Sequence, residues 1–185
     1  MKKVVLLGDS IRLIGYGKKV PALLGSEYTV WQPEDNCRFA QYTMRGVMHD
    51  WQNQMAGADV IHWNNGLWDV CDLAGDGPFT PPEVYAGFVL RTLRVLKRIT
   101  PKIIFATTTP VDPGNPYNSN PVIESYNAFI VPKLASEGVV INDLHALVAA
   151  DIDRFIRKDD HIHLTDDGID VCAAAVAAKI RTLSE

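Results

Sequence analysis

The feature that most constrains this chain is an alternation. Five short runs rich in β-branched and aromatic residues, at 4–7, 28–31, 58–63, 102–107 and 138–142, are each followed by a stretch able to form a helix. The first run, Val4-Val5-Leu6-Leu7, has no polar break and reads as a strand buried on both faces. Short βα repeats predict an α/β fold: a five-stranded parallel sheet with helices on both faces, in three α/β/α layers joined by right-handed crossovers. In such a sheet ligands bind at the carboxyl ends of the strands. The polar connections after the first, third and fourth strands therefore share one edge, and residues 67–80 and 108–120 are longer than ordinary connections.

Helix signals fill the intervals. A short helix is expected over 18–24, and a longer one over 42–55 with Met44, Val47, Met48 and Trp51 on one face. Thr80-Pro81-Pro82-Glu83 predicts a helix start with Thr80 as cap and Glu83 closing a capping box. Asn120-Pro121 is expected to cap the next helix, which Pro132 should kink or end. Residues 146–156 are expected to be helical, and Thr165 with Asp166 and Asp167 predicts the start of the last helix.

With 185 residues, a 47% apolar composition and a net charge of −4, residues 1–185 are expected to form one domain. No basic stripe of the kind nucleic-acid binding needs is present, and no apolar run approaches a membrane span. Three cysteines without CxxC spacing argue against a disulfide framework or a structural zinc site. With no leader-like start after Met1-Lys2-Lys3, the expectation is a cytoplasmic protein with free thiols. No loop offers a glycine-rich phosphate cradle, so no cofactor is expected.

The first strand ends in Gly8-Asp9-Ser10. A serine there is well placed as a nucleophile but needs a base to take its proton. Asp160-His161-Ile162-His163, just before the last helix, can supply one: a carboxylate three residues from an imidazole fixes its tautomer and leaves Nε2 to accept a proton. His161 and His163 form a His-x-His pair with no further ligand spacing, so no metal is expected. His62 and Trp63 read as core, His49 as surface and His145 as near a helix start, while Cys37 lies close to the site.

Gly8-Asp9-Ser10 near the start and Asp160-x-x-His163 before a final helix resemble the SGNH, or GDSL-type, hydrolases. The resemblance covers the chain in strand–helix order and is most specific at its two ends. It implies the flavodoxin-like SGNH fold, with Ser10 as nucleophile, His163 as base and then acid, and Asp160 orienting His163. It also implies an oxyanion hole made of the nucleophile's own N–H, a backbone N–H after the second strand and an Asn after the third. Here the sequence departs from the family. The stretch Asn36–Gln41 has no glycine, leaving Ala40 or Gln41 as the second donor, and Gly66-Leu67-Trp68-Asp69 has Trp68 where the Asn belongs. Asn64 is preferred to Asn65 or Trp68 as the third donor. Asp9 supports the site or shapes its turn, and Trp68 and Tyr117 are expected at the substrate cleft.

By the resemblance, the reaction is hydrolysis of a small-molecule ester through an acyl-serine. The loops carry few large apolar side chains, which points to a short acyl group such as acetyl on a polar alcohol or sugar. A lysophospholipase or thioesterase, an acyltransferase on the same triad, and a non-catalytic binding module remain the alternatives.

Overall fold

The computed structural model describes residues 1–185. Its sheet consists of β1 (Lys2–Leu7), β2 (Tyr28–Trp31), β3 (Val60–Asn64), β4 (Ile103–Ala106) and β5 (Val140–Asn142). All neighbours are parallel and the spatial order is β2-β1-β3-β4-β5. The helices are α1 (Val20–Leu24), α2 (Ala40–Arg45), α3 (Gln52–Met55), α4 (Leu67–Val70), α5 (Pro82–Leu96), α6 (Asn120–Ser136), α7 (Leu144–Ala149), α8 (Ile152–Phe155) and α9 (Asp166–Ser184). One group, α1, α7, α8 and α9, packs together, and so does a second, α2, α4, α5 and α6; these are the outer layers of the three-layer α/β/α fold.

The core explains the order. Val4 through Leu7, all of β3 and all of β4 are buried, because helices cover both faces of a parallel sheet. The chain leaves β1 toward β2 on one side and returns to place β3 on the other. That makes the crevice between the carboxyl ends of β1 and β3 the topological switch point, where such sheets bind ligands.

Several local expectations are corrected. The stretch over 42–55 is not one helix: α2 passes into a π-helical turn at Gly46–Asp50 before α3, and Met48 is 42% exposed rather than part of an inward face. Thr80 does not cap α5. Its N–H donates to the Asp69 carbonyl (2.9 Å) and its own carbonyl accepts the Tyr126 hydroxyl (2.7 Å), so tertiary bonds hold it and Pro81 precedes the helix. The cap residue of α6 is Ser119, while the Asn120 side chain bonds both the N–H and the carbonyl of Val111 (2.9 Å each). Pro132 does not end α6. It is exposed, as is Ala128, whose carbonyl loses its partner and can be solvated instead. Residues 146–156 form two short helices, each capped by an aspartate: Asp143 on α7 and Asp151 on α8. Thr165 caps α9 as its sequence predicts, accepting from Gly168 N–H (3.1 Å).

Candidate active site

The turn Gly8-Asp9-Ser10 follows β1 directly. Gly8 is required by close approach rather than by its backbone angle: a β-carbon there would stand 1.9 Å from Asn64 Oδ1. Asp9 is buried, and its Oδ1 accepts Ile11 N–H (3.0 Å) across the turn, so it shapes the bend. Burial pushes its carboxyl up, against the pull of the Asn64 amide and Ile11 N–H. Ser10 then opens a π-helical turn, Ile11–Gly15, a form frequent at functional sites.

Arg12, unremarked in the sequence, holds this turn from inside. Its guanidinium is fully buried and donates to the carbonyls of Gly8 (3.0 Å), Pro33 (2.8 Å) and Asp35 (2.7 Å) and to Gln32 Oε1 (3.3 Å). A buried cation is tolerated only when its donors are this well satisfied. The effect is to tie the end of β1 to the loop after β2. Gly8 and Cys37 close the same junction, Cys37 N–H to Gly8 carbonyl (3.1 Å) and Gly8 N–H to Cys37 Sγ (3.3 Å). Burial pushes the Cys37 thiol up to about 11, so it is no thiolate.

At the other end of the chain, Asp160 Oδ1 accepts the backbone N–H of Ile162 (3.0 Å) and of His163 (2.9 Å), and its Oδ2 lies 3.0 Å from His163 Nδ1. Burial raises the Asp160 carboxyl, but the three hydrogen bonds outweigh it and hold the group at about 2. An ionised carboxylate can only accept, so Nδ1 carries the proton and Nε2 is left as the basic nitrogen.

Ser10 lies between two cavities. One, of about 570 Å³, has a mixed lining in which Ser10, His163, Lys18, Arg157 and Asp166 are joined by Ile14 and Ile169. The second, about 170 Å³, is mostly apolar, with Ser10, Leu67, Trp68, Leu73, Tyr117 and Ile162 in its walls. Trp68, Leu73 and Tyr117 are large side chains that stay 40–60% exposed, an apolar cluster at the mouth of the smaller cavity. The structure thus brings Ser10, His163 and Asp160 to one sheet edge and seats Trp68 and Tyr117 at the cleft.

The remaining candidate donors are arranged differently. Asn64 ends β3, is buried, and lines neither cavity; its Oδ1 accepts the Tyr16 hydroxyl (2.7 Å), which leaves Nδ2 as its donor. Asn65 is consumed structurally, its Oδ1 accepting Trp63 Nε1–H (2.5 Å) and its Nδ2 donating to the Arg38 carbonyl (2.8 Å). Gln41 is exposed on the first turn of α2 and lines neither cavity, because it is Cys37, not Gln41, that bonds the nucleophile turn. Ala40 N–H donates to both oxygens of Asp69 (3.2 and 3.0 Å), and Arg38, at a left-handed φ of 50°, donates its N–H to Asn36 Oδ1 (2.8 Å). Asp69 is pushed up to about 7, chiefly by burial. His62 is buried in β3, and burial pushes it down to about 3, so it is a neutral core residue.

The sequence matches no protein-family model and no curated protein. Solved structures do match the fold. A lipase/acylhydrolase from Enterococcus faecalis aligns with a TM-score of 0.79 at 19% identity, covering 98% of this chain and 96% of that one. An acetyl xylan esterase aligns with a TM-score of 0.79 at 20% identity, covering 96% and 99% of the two chains. A GDSL-like lipase from Bacteroides thetaiotaomicron aligns with a TM-score of 0.73 at 16% identity, covering 98% and 88%. The fold is that of the SGNH hydrolases. On that fold, this chain has its Gly8-Asp9-Ser10 turn at the switch point and its Asp-x-x-His turn ahead of the last helix. No helix is long and apolar enough to cross a membrane, and no group of three or more potential metal ligands is found.

Proposed function

We propose that this chain is a serine esterase that hydrolyses short-chain acyl esters, acetyl first among them, of a polar alcohol or sugar. The observation that carries the reading is the position of Ser10 between a small, mostly apolar cavity and a larger one of mixed lining, with His163 and charged side chains on the larger side. Ser10 Oγ attacks the ester carbonyl while His163 Nε2 takes its proton, and Asp160 stabilises the imidazolium. The same nitrogen must then protonate the departing alkoxide, so the alcohol lies in the cavity that His163 lines. Lys18, Arg157 and Asp166 there offer the donors and acceptors a polyol needs.

The acyl group is left with the smaller cavity. That cavity is about 170 Å³, with mostly apolar walls that suit the methyl end of a short acyl group. The oxyanion of the tetrahedral intermediate is met by Ser10 N–H and Asn64 Nδ2, the latter oriented by Tyr16. Collapse expels the alcohol, and water, activated by His163, releases the acid from the acyl-serine. The three free, buried cysteines fit a reducing compartment such as the cytoplasm.

Two experiments test this. A serine-directed fluorophosphonate should label Ser10, and labelling should vanish in His163→Ala; an unlabelled wild-type protein would favour a binding module. A series of nitrophenyl esters should be fastest at about two to four carbons. A maximum at eight carbons or beyond would instead support a lipase or thioesterase. Acyl transfer to added alcohols or sugars faster than to water would support the transferase.

A further inference from the structure

A second Asp–His pair stands beside the first, and the mechanism makes no use of it. His161 Nδ1 lies 2.8 Å from Asp112 Oδ1, and the two residues are also joined through the backbone, Asp112 N–H to the His161 carbonyl (3.0 Å). Asp112 is buried midway along the loop that follows β4, and its Oδ1 also accepts Gly114 N–H (2.9 Å) while Lys158 bonds Oδ2. Asn115 Nδ2 adds a long contact to the same His161 carbonyl (3.4 Å). His161 sits between Asp160 and His163 in sequence and has a φ of 59°, in the left-handed region. That backbone is unfavourable for a residue with a β-carbon and persists where the surroundings hold it.

We propose that Asp112 and His161 lock the turn that carries Asp160 and His163, making Asp112 a positioning residue for the base. The inference rests on the serine-esterase reading for its catalytic consequence, though not for its structural one. Residues 157–163 form one tight turn, closed by Arg157 N–H to the His163 carbonyl (2.8 Å) and His161 N–H to the Arg157 carbonyl (3.1 Å). Asp112 grips the middle of that turn by its backbone and its side chain at once. If the grip is released, His161 can leave the left-handed region, Ile162 and His163 rotate with it, and the imidazole loses its set position relative to Ser10. Misplacement of a catalytic group by about 1 Å is enough to cost on the order of 100-fold in rate.

The test compares Asp112→Ala, His161→Ala and His161→Asn with the wild type by two readouts. Amide hydrogen exchange at Arg157, His161, Ile162 and His163 should speed up by about tenfold or more in both alanine variants, since the turn then opens locally. Unchanged protection there overturns the lock, whether or not the protein is an esterase. With nitrophenyl acetate, both alanine variants should lose about 10- to 100-fold in kcat with KM held within about threefold. Ser10 labelling should slow in proportion. His161→Asn, which tolerates a left-handed backbone and can donate to Asp112, should recover most of kcat. Equal loss in the asparagine and alanine variants, or wild-type kcat in Asp112→Ala, overturns the positioning role. Should Asp112→Ala fail to fold, His161→Ala, at a side chain 35% exposed, carries the same test. Absence of Ser10 labelling in the wild type would remove the esterase reading, and the exchange data would still decide the lock.

Discussion

Two Asp–His pairs occupy one edge of this molecule, and they differ in almost every respect that matters. Asp160 and His163 are three residues apart, their side chains are 30% and 25% exposed, and His163 faces the cavity at Ser10. Asp112 and His161 are 49 residues apart, join two different loops, and line neither cavity at Ser10. The first pair is partly exposed and open to a molecule in that cavity. The second has a buried carboxylate fully occupied by Lys158, Gly114 and His161, an arrangement suited to holding rather than reacting. The contrast teaches that an Asp–His contact is not in itself a catalytic signature; what its free ring nitrogen faces decides the role.

The comparison can be broken at several points. The largest effect belongs to the reacting groups: Ser10→Ala or His163→Ala should each cut kcat by about 10⁴-fold or more in an ester hydrolysis assay. Asp160→Asn should cost about 10³- to 10⁴-fold, because the amide can favour the wrong imidazole tautomer. A loss in Asp112→Ala as deep as that of Asp160→Asn would erase the distinction between the pairs. Asn64→Ala should lower kcat by about 100-fold if its amide meets the oxyanion, and wild-type turnover would refute that role. Lys158→Met, which leaves the Asp112–His161 bond in place, should change kcat by no more than about threefold, since the lysine's own side chain is largely exposed and away from the turn's backbone bonds.

Acid stability separates the pairs no further, and that too can be measured. Lys158, then the Gly114 N–H, hold Asp112 at about 2, and hydrogen bonds overcome burial to hold Asp160 there as well. Both lie below the value of about 3.9 for an unfolded aspartate. Each therefore contributes stability that is present above about pH 4 and is lost as the pH falls toward 2. Urea midpoints should drop across that window in the wild type and less steeply in Asp112→Ala; equal slopes would show that Asp112 does not contribute.

Much of this was legible before any coordinates. Unbroken apolar runs such as Val4–Leu7 require burial on both faces, and their alternation with helical stretches leaves a parallel sheet as the consistent arrangement. Asp160 and His163 were legible for a simpler reason: a contact between residues three apart on a turn is a local geometric fact. Thr165 as a helix cap belongs to the same class.

Thr80 shows where local reading fails. It has every feature of a cap, yet Asp69 and Tyr126, distant in sequence, claim its backbone first. The loop after β2 is a related case, since its place beside Ser10 depends on the Gly8–Cys37 bonds and on the Arg12 side chain that ties it to the end of β1. The sequence by itself determined the sheet, the nucleophile turn and the local Asp160–His163 pair, because burial pattern and near-neighbour hydrogen bonds need only short separations. Only the tertiary structure decided the two cavities, the buried Arg12 and the Asp112–His161 contact, because each joins segments that the strand order alone brings together.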